Sequence, residues 1–228
     1  MASSTEIVGA AGGRGGQIRA GVHVEIVTVA WMAAEAAIAI GAGIAAQSVL
    51  LTAFGLDSVI ELVTGGALLW RLATEARGGS LARVERAEHR AAWVAGVGLV
   101  LLCVYVVATS AVSLLMGHRA EDSPVGLALA LVAVVGMPLL AVRKRAIAAR
   151  LGSAALKGDA ACSITCAYMA GTLLVGLALN ALLGWWWADA VAALALLYWL
   201  IPEAREALEG ARAGRAGCAC GNDECDDD

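Results

Sequence analysis

The chain has 228 residues, of which 60% are hydrophobic and only 16% charged, with a mean hydropathy of +0.77. A soluble domain of this length needs more charge to cover its surface, so composition places the chain in a membrane. The formal net charge is −4, and Asp223, Glu224, Asp226, Asp227 and Asp228 account for it; the rest is close to neutral, which excludes a nucleic-acid binder.

Residues 1–22 are rich in Gly, Ser and Ala, with Arg14 and Arg19, and lack the apolar core of a signal peptide. They are expected to form a flexible cytoplasmic tail. Six apolar segments follow, at 24–46, 49–71, 92–117, 125–147, 158–183 and 186–204. Each is long enough, or nearly so, to span a hydrocarbon core. The expected architecture is all-α: a polytopic membrane protein with six transmembrane helices over residues 23–210, then a Cys/Asp-rich cytoplasmic tail over 211–228.

The connections set the orientation. The stretch 71–91 holds Arg71, Arg77, Arg83, Arg86 and Arg90, and the stretch 143–157 holds Arg143, Lys144, Arg145, Arg150 and Lys157. The turns near Gln47-Ser48 and Gly184 have no basic residue, and 118–124 has Arg119 alone. Positive residues stay on the cytoplasmic side, so both termini are expected inside, in the plasma membrane. Between the second and third spans, residues 74–90 mix Leu81 and Val84 with charges, the pattern of a surface helix or a helical extension.

The first span carries Glu25 near its inner end, read as an interfacial charge. Glu35 lies near its middle, either paired to a neighbouring helix or placed on an ion pathway. The second span contains Ala53-Phe54-Gly55-Leu56-Asp57-Ser58-Val59-Ile60-Glu61. Asp57 and Glu61 are four apart and share one helix face. Each charge inside a membrane helix costs about 2.5–3.5 kcal/mol on insertion scales, so the pair needs a cation, a proton or a fixed partner. Cys103, alone in the third span, reads as a packing residue. The fourth span has Gly136-Met137-Pro138, a kink, and is a poor source of ligands.

The fifth span opens Lys157-Gly158-Asp159-Ala160-Ala161-Cys162-Ser163-Ile164-Thr165-Cys166. Asp159, Cys162 and Cys166 form one helical stripe. The thiols are either small packing residues at a tight helix interface or metal ligands. Spans two and five run in opposite directions, so as neighbours they would set Asp57 against Cys166 and Glu61 against Cys162. That is a four-donor cluster suited to tetrahedral coordination. Ligand deprotonation makes cation and protons compete for it. Trp185-Trp186-Trp187 reads as an interfacial belt. Asp189 follows in the first helical turn, where the helix dipole favours a carboxylate; a cap is expected there ahead of a role in an outer vestibule. Cys218, Cys220 and Cys225 stand among the five terminal acids, a set able to capture a thiophilic cation, in a segment expected to be disordered without one.

At these residues the chain resembles the cation diffusion facilitator family of metal transporters. The resemblance is carried by Ala53-Phe54-Gly55-Leu56-Asp57-Ser58 with Glu61, by Leu156-Lys157-Gly158-Asp159-Ala160 before the fifth-helix ligand positions, and by Gly184-Trp185-Trp186-Trp187-Ala188-Asp189 before the last span. It covers about residues 24–210. It implies a six-helix bundle that exports divalent cations by alternating access, commonly against protons, in a homodimer, with ligands at Asp57, Glu61, Cys162 and Cys166. The transported divalent cation, zinc foremost with cadmium or cobalt as alternatives, is the expected cargo rather than a prosthetic group, and no enzymatic activity is expected. Glu35 and Asp159 would stand behind the ligands or along the path. The family usually has His or Asp then Asp where this chain has Cys162 and Cys166, and thiolates there shift preference toward softer ions. Only residues 211–228 stand where the family carries a soluble domain. Two other readings remain: a membrane-embedded thiol redox or metal sensor, which leaves Asp57 and Glu61 unexplained, and a non-transporting membrane scaffold.

Overall fold

The structure, a computed structural model, describes residues 4–80 and 82–213. It consists of six helices: α1 (Ser4–Ala45), α2 (Val49–Ala76), α3 (Ala82–Met116), α4 (Pro124–Leu151), α5 (Ala154–Leu183) and α6 (Ala188–Arg212). Local chemistry explains several of the boundaries. Ser48, Ser123 and Ser153 each stand just before a helix and accept a backbone N–H three residues on, from Leu51, Gly126 and Leu156. Pro124 follows its cap at the first helical position, where its missing N–H costs nothing. At the far ends, Gly152 and Gly184 turn the chain out of α4 and α5 with φ of 64° and 63°, the left-handed conformation that glycine adopts without a Cβ clash.

At the helix ends, residues 74–90 take the helical-extension alternative: they lengthen α2 and α3, which meet at a tight turn near Gly78. The first helix begins at Ser4 and takes in most of the stretch read as a tail. Five helices are long and apolar enough by themselves to cross a membrane. In α6, by contrast, Glu203, Arg205, Glu206 and Glu209 crowd the second half, although α6 packs on α3 and α5 within the same bundle.

The bundle is inverted relative to a soluble protein. Its exposed residues include Ile44, Leu101, Val104, Leu139 and Val142, whereas Glu25, Glu35, Asp57, Glu61, Lys144, Asp189 and Glu203 are buried. An apolar exterior around a polar seam is stable only where the surroundings are hydrocarbon. The chain is therefore a polytopic α-helical membrane protein.

The helices pair chiefly as α1 with α2, α4 with α5 and α3 with α6; α2 touches α1, α3, α5 and α6 and so runs along the interior. The α1–α2, α3–α4 and α5–α6 connections lie at one end. Glu121 N–H donates to Ala46 O at 2.7 Å, and Asn180 donates to Ala120 O at 3.1 Å. This is called the capped end. The opposite end carries the α2–α3 and α4–α5 connections with most of the arginines, and is called the basic end. Trp185 and Trp187 stack at 5.1 Å and are exposed at the capped end, as a belt requires.

Close helix approach is what puts α2 beside α1. A Cβ on Gly55 would stand 2.8 Å from Ile40 N and 2.9 Å from the Ala39 Cβ. Gly55→Leu is therefore expected to push α1 from α2 and to cost about 1–3 kcal/mol or more by overpacking. Thermal unfolding in detergent measures it; an unchanged midpoint would contradict the packing described.

Candidate functional site

The buried face of α2 reads Leu50, Phe54, Asp57, Ser58, Glu61, Gly65, Leu68 and Leu72, the three- and four-residue spacing of one helical stripe. That stripe turns both carboxylates inward. Asp57 is 2% exposed, and one of its oxygens, Oδ1, accepts no hydrogen bond from a described residue. Glu61 lies one turn nearer the basic end.

Across from it, α5 presents Cys166, buried and free. The Cys166 thiol lies 2.7 and 2.8 Å from the two Glu61 oxygens and donates to that carboxylate. Helices α2 and α5 therefore do meet, but one turn out of the expected register: Glu61, not Asp57, stands against Cys166. The depth of each helix is set by its caps and turns at the capped end, not by the apolar boundaries from which equal depth was assumed. Cys162 consequently falls nearer the basic end, half-buried. It is disulfide-bonded.

Glu35 on α1 is fully engaged. Trp31 Nε1–H donates to its Oε2 at 2.7 Å and Ser58 Oγ–H to its Oε1 at 2.8 Å. It stands within electrostatic reach of Asp57, so it pairs with a neighbouring helix and lines the acidic seam at the same time.

A small cavity of about 20 Å³ lies beside the pair, lined by Glu61, Cys162, Cys166, Glu203, Asp159 and Lys144 among others. That space fits one water or a bare ion. A second cavity of about 80 Å³, toward the basic end, shares Asp159, Cys162 and Thr64 with the first and reaches Glu88, Glu206 and Gly210. The two adjoin and lead from the basic end to Glu61. Among the described residues no three His, Cys, Asp or Glu side chains converge closely enough to hold a metal together.

Three groups escaped the sequence reading. Glu203 of α6 faces this cavity; it continues the buried stripe Asp189, Ala193, Leu196, Leu200, a signal present in the spacing. Lys144 was counted as a loop cation, yet it is fully buried and forms ion pairs with Asp159 of α5 and, at 3.5 Å, with Glu25 of α1. Glu25 is not an interfacial charge: it is 0% exposed. Cys218, Cys220 and Cys225 lie outside the described residues.

Asp189 is a cap, but of another helix. Its carboxylate accepts the Ser48 hydroxyl, Val49 N–H at 2.8 Å and Leu50 N–H at 3.3 Å, so it closes the N-terminus of α2, where the helix dipole favours an anion. Asp189→Ala removes three acceptor contacts and is expected to cost about 1–2 kcal/mol, the usual value of a lost cap. Denaturant unfolding in detergent reads this. The Glu61–Cys166 contact should persist, because Glu61 lies about 18 Å further along α2 at the helical rise.

No curated protein matches the chain significantly. The family model for the cation efflux transmembrane domain matches residues 26–209, which takes in α2 to α5 whole, the C-terminal half of α1 and all but the last turn of α6. The chain therefore belongs to the cation efflux family, the cation diffusion facilitators, and is a membrane transporter of cations.

Proposed function

We propose that this protein exports a divalent cation, zinc foremost with cadmium and cobalt as alternatives, from the basic end to the capped end in exchange for protons. Glu61 and Cys166 bind the ion together with Asp57, and Cys162 joins them when its sulfur is a thiol. The buried Glu61–Cys166 pair carries the reading. A carboxylate and a thiol on two helices, beside an ion-sized cavity, form a mixed oxygen and sulfur donor set that suits zinc and its softer relatives. Three-donor capture needs Asp57 to approach, which a shift of α2 along α5 by about one turn would bring about.

The same pair supports proton exchange. The thiol donates its hydrogen to Glu61, and a cation binds the deprotonated sulfur and oxygen. Loading the site therefore releases a proton, and a returning proton expels the ion. The positive-inside rule supports an orientation with the basic end and both termini in the cytoplasm, in the plasma membrane. The working unit is proposed to be a homodimer.

Purified protein in liposomes is expected to give zinc-dependent flux that Asp57→Ala with Cys166→Ala abolishes. Glu61→Gln should weaken zinc binding by about 100-fold, at or above the loss usual for groups that merely support a ligand. Intact flux in the double variant would overturn the site. Proton release is read by calorimetry of zinc binding in buffers of different ionisation enthalpy. Affinity should fall as pH falls, and an enthalpy independent of buffer would remove the exchange mechanism.

A thiol redox sensor is the reading that the disulfide at Cys162 favours. It requires the thiols and not the carboxylates, so loss of function in Asp57→Ala alone decides against it.

A further inference from the structure

Lys144 is a buried ammonium in the wall of the cavity proposed to receive a cation. A fixed positive charge there repels the cargo, so its position calls for an explanation. It lies on α4 between Asp159 of α5, with which it forms its closer ion pair, and Glu25 of α1 at 3.5 Å. The three members differ in access. Lys144 and Glu25 side chains are 0% exposed, whereas that of Asp159 is 19% exposed. Asp159 also belongs to both cavities, whereas Glu25 lines neither.

We propose that Asp159 is a loading subsite for the divalent cation, and that Lys144 is an internal cation which the cargo displaces from it while Glu25 retains the displaced ammonium. This rests on the transport reading above.

The charge count supports it. One ammonium faces two carboxylates, one more than a simple staple between helices needs. If a cation takes Asp159, Lys144 still has Glu25 and is not left as an uncompensated buried charge, the arrangement that proteins avoid most strongly. If Lys144 had Asp159 alone, loading would have to strand it. The cavities supply the route: an ion arriving past Glu88 and Glu206 meets Asp159 before it meets Glu61 and Cys166. In this scheme α1 holds the counter-ion, α4 presents it and α5 receives the cargo, and α4 packs against both partners.

The test uses the full chain in inside-out membrane vesicles, with zinc as the probe and an indicator trapped inside. Lys144→Met removes the competitor and should lower the half-saturating zinc concentration about tenfold, a modest part of the effect of a unit charge at this range. Glu25→Gln leaves Lys144 only Asp159 and should raise it by about the same factor, with little change in maximal rate. Glu25→Asp should restore the original value. In the Lys144→Met background, Glu25→Gln should change nothing further. A purely structural staple would instead lower maximal rate and thermal stability in both single variants, with no opposite shifts in half-saturation; that result overturns the proposal. If Lys144→Met does not accumulate, Lys144→Gln with Glu25→Gln leaves the net charge of the site unchanged; half-saturation no lower than in Glu25→Gln alone overturns the proposal. Absence of zinc uptake by the unaltered chain would overturn the transport reading itself, whereas normal uptake with unshifted variants overturns only this one.

Discussion

The Glu61 carboxylate meets the Cys166 thiol in the middle of a bundle whose outside is hydrocarbon. Burying either group alone is costly, because nothing in that interior replaces the lost water. The contact offsets part of that cost for both, and it requires α2 and α5 to lie side by side at a fixed depth. Much of the rest follows from holding them there. Small residues such as Gly55 let α1 come close enough for Glu35 to reach Ser58, and the serine caps and glycine turns set where each helix starts and stops.

Polar groups are sorted along the axis according to how each is satisfied. At the capped end, Asp189 is held by a hydroxyl and two backbone N–H groups, and nearby Leu50, Leu51 and Phe54 fill the seam. In the middle, Asp57 keeps an oxygen that accepts no hydrogen bond from a described residue, and Glu61 accepts one from the Cys166 thiol. At the basic end the carboxylates Glu25, Asp159 and Glu88 face cations, Lys144 and Arg71. Fixed hydrogen bonds hold the capped end, whereas the partners in the centre, and under the loading proposal those of Asp159, are exchangeable. That is the distribution a carrier needs, since an ion can compete with a proton on a thiol more easily than with three hydrogen bonds on a cap.

The helices were legible because length and hydropathy alone mark them, and the inward face of α2 because Asp57 and Glu61 share its buried stripe. Contact between α2 and α5 followed from matching motifs on antiparallel spans. Register did not, because apolar boundaries mark where lipid ends and not where Gly184 turns the chain or where Asp189 anchors α2. Lys144 was hidden by its neighbours: Arg143 and Arg145 are exposed and made the run look like a loop. Yet Ala133, Met137, Ala141, Lys144 and Ala148 fall on one buried stripe, and counting onward from Met137 places the lysine inside. Charge type suggested a surface, whereas helical period specified an interior, and period is the better guide where the helix continues past the membrane edge.

The two ends of the seam are not equivalent, and the difference bears on how a cation could cross. The cavities approach Glu61 from the basic end and are bounded by Asp159 and Cys162. From the capped side, the way to Asp57 passes Leu50, Leu51 and Phe54, each at most 2% exposed. Under the proposed function, the ion enters from the basic end. Release at the other end requires those three side chains to part, and all three sit on the first two turns of α2, whose start is tied to α6 by Asp189. Because α2 packs chiefly on α1 and α3 and only sparsely on α5 and α6, a displacement of α2 relative to α5 breaks few contacts. Under the proposed function, such a displacement would change the spacing between Glu61 and Cys166, and so would couple opening of the capped end to the grip on the ion.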